Sequence, residues 1–173
     1  MKCCAMVLAL MVTACATSPQ SATAQEELEA TLRSTFGGSV AAAGLHFYAT
    51  ANQWSPVHSR AFAVTENAAY FLEVTYKARR LPVRQTRAVR LKSCSALNDA
   101  VVTMKTRLDR YNQDPTLARS ETEMFLDGPT YDLRQYDAHG NMRQEWSDAD
   151  LLMLGQTVSL GEAVLAQGWK CEI

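Results

Sequence analysis

The residues able to do chemistry are few and scattered. The chain has three histidines, His46, His58 and His139. None stands in HxxxH or HxxE spacing, so the helix that presents two imidazoles one turn apart to a zinc ion is not encoded. His46 alternates with Leu45 and Phe47, as on a strand, where a surface position or a satisfied hydrogen-bond partner is expected. His139 falls in a turn. The strand–turn–helix serine motif GxSxG is absent, and "GGSV" at 37–40 reads as a helix stop and linker. Carboxylates pair in sequence at Asp132 and Asp137, and at Glu121 and Glu123. Carboxylate hydrolysis needs two such groups facing one substrate across a cleft, which spacing alone does not establish. The expectation is a protein without catalytic residue, metal site or cofactor, with a small carboxylate-dependent hydrolase as a lesser alternative.

The strongest nonrandom feature is basic. Lys77, Arg79, Arg80, Arg84, Arg87, Arg90 and Lys92 fall within sixteen residues, and five of the seven are Arg. A guanidinium forks onto carboxylates and stacks on rings, so an Arg-rich surface suits contact with an acidic protein. The competing reading is internal neutralisation, by Glu73 or by the acidic second half. Between Arg60 and Lys92 there are eight basic and two acidic residues, and between Asp99 and Asp150 six basic and eleven acidic. Trp54, in the loop stretch "NQWSPVH", is a further contact candidate, because loops carry recognition residues. A formal net charge of −1 argues against nucleic acid as partner.

These residues need elements to hold them. Residues 25–36 carry acids first, Leu28, Leu32 and Phe36 at steps of four, and Gly37-Gly38 after. They predict a short helix with a docking stripe. Strands are predicted at 45–50, at 60–65, and most clearly at 69–77, where alternation is unbroken. A turn follows at "ARRLPVR", then a strand over 83–91. It sets Val83, Val89 and Leu91 on one face and Arg84, Thr86, Ala88 and Arg90 on the other. If this hairpin closes through 79–82, Lys77 and Arg79 share the side of Arg84 and Arg90.

From Ala96 to Asn112, Leu97, Val101, Met104, Leu108 and Tyr111 recur at helical spacing. Ser93 and Ser95 are candidate caps for this helix. A strand is predicted over 121–126, and a hairpin over 130–136 and 141–146 around "DAHGN". In that hairpin Tyr131, Tyr136 and Trp146 are expected in the core. A last helix is expected to be capped by Ser147, with Asp148 and Asp150 in its first turn. It would be interrupted at Gly155 or Gly161 and stopped by Gly168. The order implies an α+β fold: a mostly antiparallel sheet of about six to seven strands, two main helices over one face, and the short N-terminal helix.

Five cysteines divide cleanly. Cys3, Cys4 and Cys15 lie near the start; Cys94 and Cys171 lie in the folded part. The latter form an even pair whose bridge would close a 77-residue loop and join the starts and ends of the two covering helices.

Ahead of the domain, "AMVLALMVTA" at 5–14 is an apolar run of signal-peptide length, too short to span a bilayer. Val12-Thr13-Ala14-Cys15 resembles the lipobox of bacterial lipoproteins. The resemblance covers about twenty residues and implies cleavage before Cys15, lipidation of that Cys, and, with Ala16 next, an outer-membrane location facing the periplasm. The expected organisation is 1–14 signal, 15–25 lipid-anchored tether and 26–173 one domain. Ala22-Thr23-Ala24 fits ordinary signal cleavage instead, which would give a soluble periplasmic protein.

The expected function is non-enzymatic binding: an envelope-anchored protein taking an acidic protein partner on its basic hairpin. The sharpest form is an inhibitor or immunity protein against a secreted toxin or hydrolase. A structural or assembly component of the envelope is the alternative.

Overall fold

The computed structural model describes residues 24–41, 43–51, 58–76, 81–114, 116–117, 129–147 and 156–172. Two helices come first, α1 (Ala24–Phe36) and the single turn α2 (Gly38–Ala41). Four strands follow: β1 (Leu45–Thr50), β2 (His58–Val64), β3 (Ala68–Thr75) and β4 (Val83–Arg90). A 3-10 turn at Leu91–Ser93 leads into α3 (Ser95–Gln113). The chain ends with β5 (Thr130–Tyr136), β6 (Met142–Ser147) and α4 (Thr157–Lys170). The six strands form one antiparallel sheet in the order β4-β3-β2-β1-β5-β6, so the fold is α+β, with β4 and β6 at its edges.

Strand alternation assigns two faces. Pairings such as Phe47 with Phe62, Phe62 with Phe71, and Phe71 with Arg87 put one residue set on the first face. Helices α3 and α4 cover it. Phe47, Phe62, Phe71 and Leu133 pack there with Leu97, Val101, Met104 and Leu108 of α3 and Val164 and Leu165 of α4. The second face carries Tyr48, Ala61, Ala63, Leu72 and Val74, and it is closed by Leu28 and Leu32 of α1 with Val40 and Ala43. The stripe read from the α1 sequence is thus buried, and the sheet is covered on both sides. Each fully buried Leu or Phe contributes about 1.5–3 kcal/mol through the apolar area it removes from water.

Helix ends follow local chemistry. Gly37 takes φ 60°, a left-handed conformation open to glycine, and its N–H bonds the Arg33 carbonyl, which ends α1. The Thr65 hydroxyl accepts from the Asn67 and Ala68 N–H groups and shapes the β2–β3 turn. In the β5–β6 turn, Asp137 accepts from the N–H groups of His139 and Asn141, and Gly140 sits at φ 79°.

Two sequence expectations are corrected. Cys94, with no side-chain cap bond, precedes α3 in place of Ser93 or Ser95. Ser147 is the last residue of β6, and the segment it was expected to cap, 148–155, lies outside the described residues. Gly161 and Gly168 neither interrupt nor stop α4, which runs from Thr157 to Lys170. They are seats for aromatic rings. A Cβ on Gly161 would lie 2.4 Å from the ring of Phe47, and one on Gly168 2.2 Å from that of Phe71. Seven residues apart on one helical face, the two glycines let α4 lie directly on the sheet. The predicted strand 121–126, Asp148, Asp150 and Gly155 lie outside the described residues.

Cys94 and Cys171 are joined by a disulfide with Cα atoms 5.8 Å apart. It ties the start of α3 to the end of α4, the helices that cover one face.

Candidate functional site

The basic segment splits between the two faces. Arg84 pairs in register with Val74, and Arg90 with Ala68, so both point to the α1 side of the sheet. Both are exposed. Neither forms an ion pair among the described residues. Their register partners are apolar, so no like charges oppose one another across this strand pair. Beside them, Leu81 is 88% and Val83 41% exposed. Arg84 also lines a small cleft with Glu27 and Leu28 of α1, Tyr76 and Pro82, which brings the start of α1 to this corner of the sheet.

Arg87 goes the other way. It stands opposite Phe71 on the α4 side and donates from Nη1 to the Trp169 carbonyl at 2.7 Å and from Nη2 to the Cys171 carbonyl. Carbonyls at the end of α4 lack intrahelical donors, and a guanidinium satisfies them while complementing the helix dipole. Arg87 therefore holds the C-terminal end of α4 and leaves the exposed set. Glu73, considered as an internal counter-charge, pairs in register with Gln85 on that same α4 side, away from Arg84 and Arg90. Lys77, Arg79, Arg80 and Trp54 lie outside the described residues.

A second polar constellation was not read from the sequence. A cleft of about 320 Å³ opens between α4 and the β2–β3 pair, lined by His58, Arg60, Glu73, Pro129, Leu165, Ala166 and Trp169. Arg60 Nη2 donates to Glu162 Oε1 at 2.9 Å. His58 Nδ1 lies 3.4 Å from Glu73 Oε1 and 3.2 Å from the Thr75 hydroxyl. Burial pushes the Glu162 carboxyl above its ordinary range, while Arg60 and a hydrogen bond from Tyr131 pull it back. The partners are far apart in the chain, Arg60 and Glu162 by 102 residues, so no short motif announces them.

The third cluster is structural. On the α1 side, Arg134 of β5 reaches Glu29 of α1, Glu145 of β6 at 2.7 Å and Asp132 at 3.3 Å, and lies 5.6 Å over the Tyr48 ring. It pins α1 to the sheet through one shared cation. Burial raises the Asp132 carboxyl to about 6 despite Arg134. Its Oδ1 has no hydrogen-bond partner among the described residues. Asp132 and Asp137 do not face one substrate: the first is buried on the sheet and the second caps the β5–β6 turn. Glu121 and Glu123 lie outside the described residues.

His46 is the satisfied partner that strand alternation allowed. Its Nε2 donates to the Val40 carbonyl at 3.2 Å, since a carbonyl only accepts. That leaves Nδ1 to accept the Tyr48 hydroxyl at 2.9 Å. Burial lowers its pKa to about 4, so the ring is neutral at pH 7. Tyr131 and Trp146 are in the core, and Tyr136, half-buried, packs on His46. Among the described residues no three His, Cys, Asp or Glu side chains gather as metal ligands, and no helix is long and apolar enough to cross a membrane.

Residues 1–114 match a family of unknown function, DUF6491. The chain belongs to that family. The matched segment contains α1, α2, β1 to β4 and α3, and closes at Asp114, the residue that caps α3. It includes Arg84, Arg87, Arg90, His58, Arg60, Glu73 and Cys94; Glu162, Trp169 and Cys171 lie beyond it. No curated protein and no solved structure matches the chain.

Proposed function

We propose that this protein is an envelope-anchored, non-enzymatic binding protein whose β4 edge takes an acidic protein partner. Its sharpest form is an inhibitor or immunity protein acting on a secreted toxin or hydrolase. The observation that carries the reading is the state of Arg84 and Arg90. Both are exposed on an edge strand, on the same face, without a carboxylate partner among the described residues. An edge strand offers unpaired backbone groups to a second chain, and charged side chains on it restrict which chain docks.

The anchor belongs to the same reading. Cleavage before Cys15 leaves α1 whole with nine residues, 15–23, ahead of Ala24. For a random coil of that length the root-mean-square span is about 16 Å. Ala24 opens α1, whose Glu27 and Leu28 share a cleft with Arg84, so a lipid on Cys15 holds the arginine edge near the membrane. Mass spectrometry of the mature N-terminus tests this: an acylated Cys15 is expected, and a free N-terminus at Gln25 contradicts it.

A photo-crosslinking residue at Thr86, exposed on β4 between the two arginines, tests the contact in intact cells. The expected adduct is one acidic protein, lost on reversal of Arg84 and Arg90. A secreted toxin or hydrolase supports the inhibitor form, and a resident membrane complex supports an assembly role. An adduct that survives the reversal overturns the proposal.

A further inference from the structure

We infer that the cleft between α4 and the β2–β3 pair binds a neutral polyhydroxylated ligand, a saccharide unit, laid on Trp169 and Ala166 and hydrogen-bonded by Arg60, Glu73 and His58. The cleft lies on the sheet face opposite Arg84 and Arg90, so this site is independent of the proposed protein contact.

Size comes first. At about 320 Å³, the cleft is at the small end of the roughly 300–1,000 Å³ typical of ligand sites. One or two sugar rings fit such a space.

Charge balance then decides the ligand class. Among the described residues the cleft holds charges of both signs side by side: Arg60, paired with Glu162 at 2.9 Å, stands in register opposite Glu73, whose Oε1 lies 3.4 Å from His58 Nδ1. An anion seated beside Arg60 also meets Glu73, and a cation beside Glu73 also meets Arg60. Neither gains a dedicated counter-charge. Among the described residues these groups nevertheless keep unused hydrogen-bonding capacity. Arg60 engages Glu162 through Nη2, which leaves its other N–H donors; Glu73 engages His58 through Oε1, which leaves Oε2; His58 uses Nδ1, which leaves Nε2. Hydroxyl groups both donate and accept, so one class of neutral ligand answers all three.

The opposite wall is apolar. Ala166 and Trp169 of α4 line it with Leu165 buried beneath, and a sugar ring has a C–H face that removes the exposed apolar surface from water on contact. The site is also held rigid. Its polar groups stand on strands, Glu162 fixes the Arg60 fork, and the Trp169 indole rests against Phe71 at 6.2 Å between ring centres. Preorganised groups bind without an added ordering cost.

The test is a titration of the full mature protein, labelled for nuclear magnetic resonance, with N-acetylglucosamine, glucose, galactose and mannose in turn. Inorganic phosphate and ethylammonium serve as ionic controls. At least one sugar is expected to give saturable shifts at the Trp169 indole and at His58. Ala166→Gln puts a longer neutral side chain into the cleft from an exposed helix position. It is expected to weaken that sugar at least about tenfold while leaving the rest of the spectrum in place. Glu73→Gln, which keeps shape and removes charge, is expected to weaken it less. Saturation by no sugar, unchanged binding in Ala166→Gln, or tighter binding of phosphate or ethylammonium than of any sugar overturns the inference.

Discussion

Arg87 donates to the Trp169 carbonyl at 2.7 Å, across 82 residues of sequence, and through its other nitrogen to the Cys171 carbonyl. Two different devices therefore hold the same end of α4: this guanidinium and the bridge from Cys171 to Cys94. Hydrogen bonds from a charged donor contribute about 1.5–3 kcal/mol when sheltered. Arg87→Ala is expected to lower stability by about 2 kcal/mol, measured by denaturant unfolding. Arg87→Lys is expected to recover little, because a point charge cannot fork onto two carbonyls. Reducing the bridge in the Arg87→Ala protein is expected to cost a different amount from reducing it in the parent, since both act on one segment.

The glycines of α4 give a prediction whose sign separates two effects. Helix propensity alone makes Gly→Ala favourable by about 1 kcal/mol. At Gly161 and Gly168 the new methyl group would meet the fully buried rings of Phe47 and Phe71 at 2.4 and 2.2 Å. Overpacking of this kind costs about 1–3 kcal/mol or more. Each substitution is therefore expected to lower the melting temperature, and the pair together to prevent α4 from docking. A rise in melting temperature for either would mean that α4 stands further from the sheet.

The Asp132 carboxyl supplies a pH dependence. Its folded pKa, about 6, is above the ordinary value of 3.8. A raised carboxyl pKa means that the folded state holds the proton more tightly than the unfolded chain. The group disfavours folding once it must ionise, and stability is lost as pH rises from about 4 through about 6. Asp132→Asn removes that loss. It is expected to stabilise the protein by about 1–3 kcal/mol at pH 7.5 and by little at pH 4. Arg134 keeps Glu29 and Glu145 in the variant. His46 acts in the opposite direction: its pKa, lowered to about 4, removes stability as pH falls below about 6.5. Chemical denaturation across pH 4 to 8 with the parent and Asp132→Asn separates the two.

Much of the fold was legible because periodicity is local. Unbroken alternation marked β3, and steps of three and four marked α3. The α1 stripe at Leu28, Leu32 and Phe36 showed a docking face, though not that it closes the second side of the sheet. The bridge followed from cysteine parity. Gly161 and Gly168 were misread because their meaning depends on rings 114 and 97 residues earlier in the chain; a glycine that breaks a helix and one that seats an aromatic ring look the same in a string of letters. Arg87 shares the strand parity of Val89, which already separated it from Arg84 and Arg90. The carbonyls that receive it could not be foreseen. The cleft was missed altogether, because His58, Arg60, Glu73, Glu162 and Trp169 converge only through the packing of α4 on β2 and β3.

The measurement that bears most directly on the central claim is charge reversal at the exposed edge. Arg84→Glu and Arg90→Glu together should abolish capture of the acidic partner, as read by crosslinking at Thr86. The melting temperature should move by no more than about 2 °C, because exposed, unpaired charges contribute little to stability. Capture that persists at parental strength, or a reversal that unfolds the domain, would contradict the assignment of β4 as the contact surface.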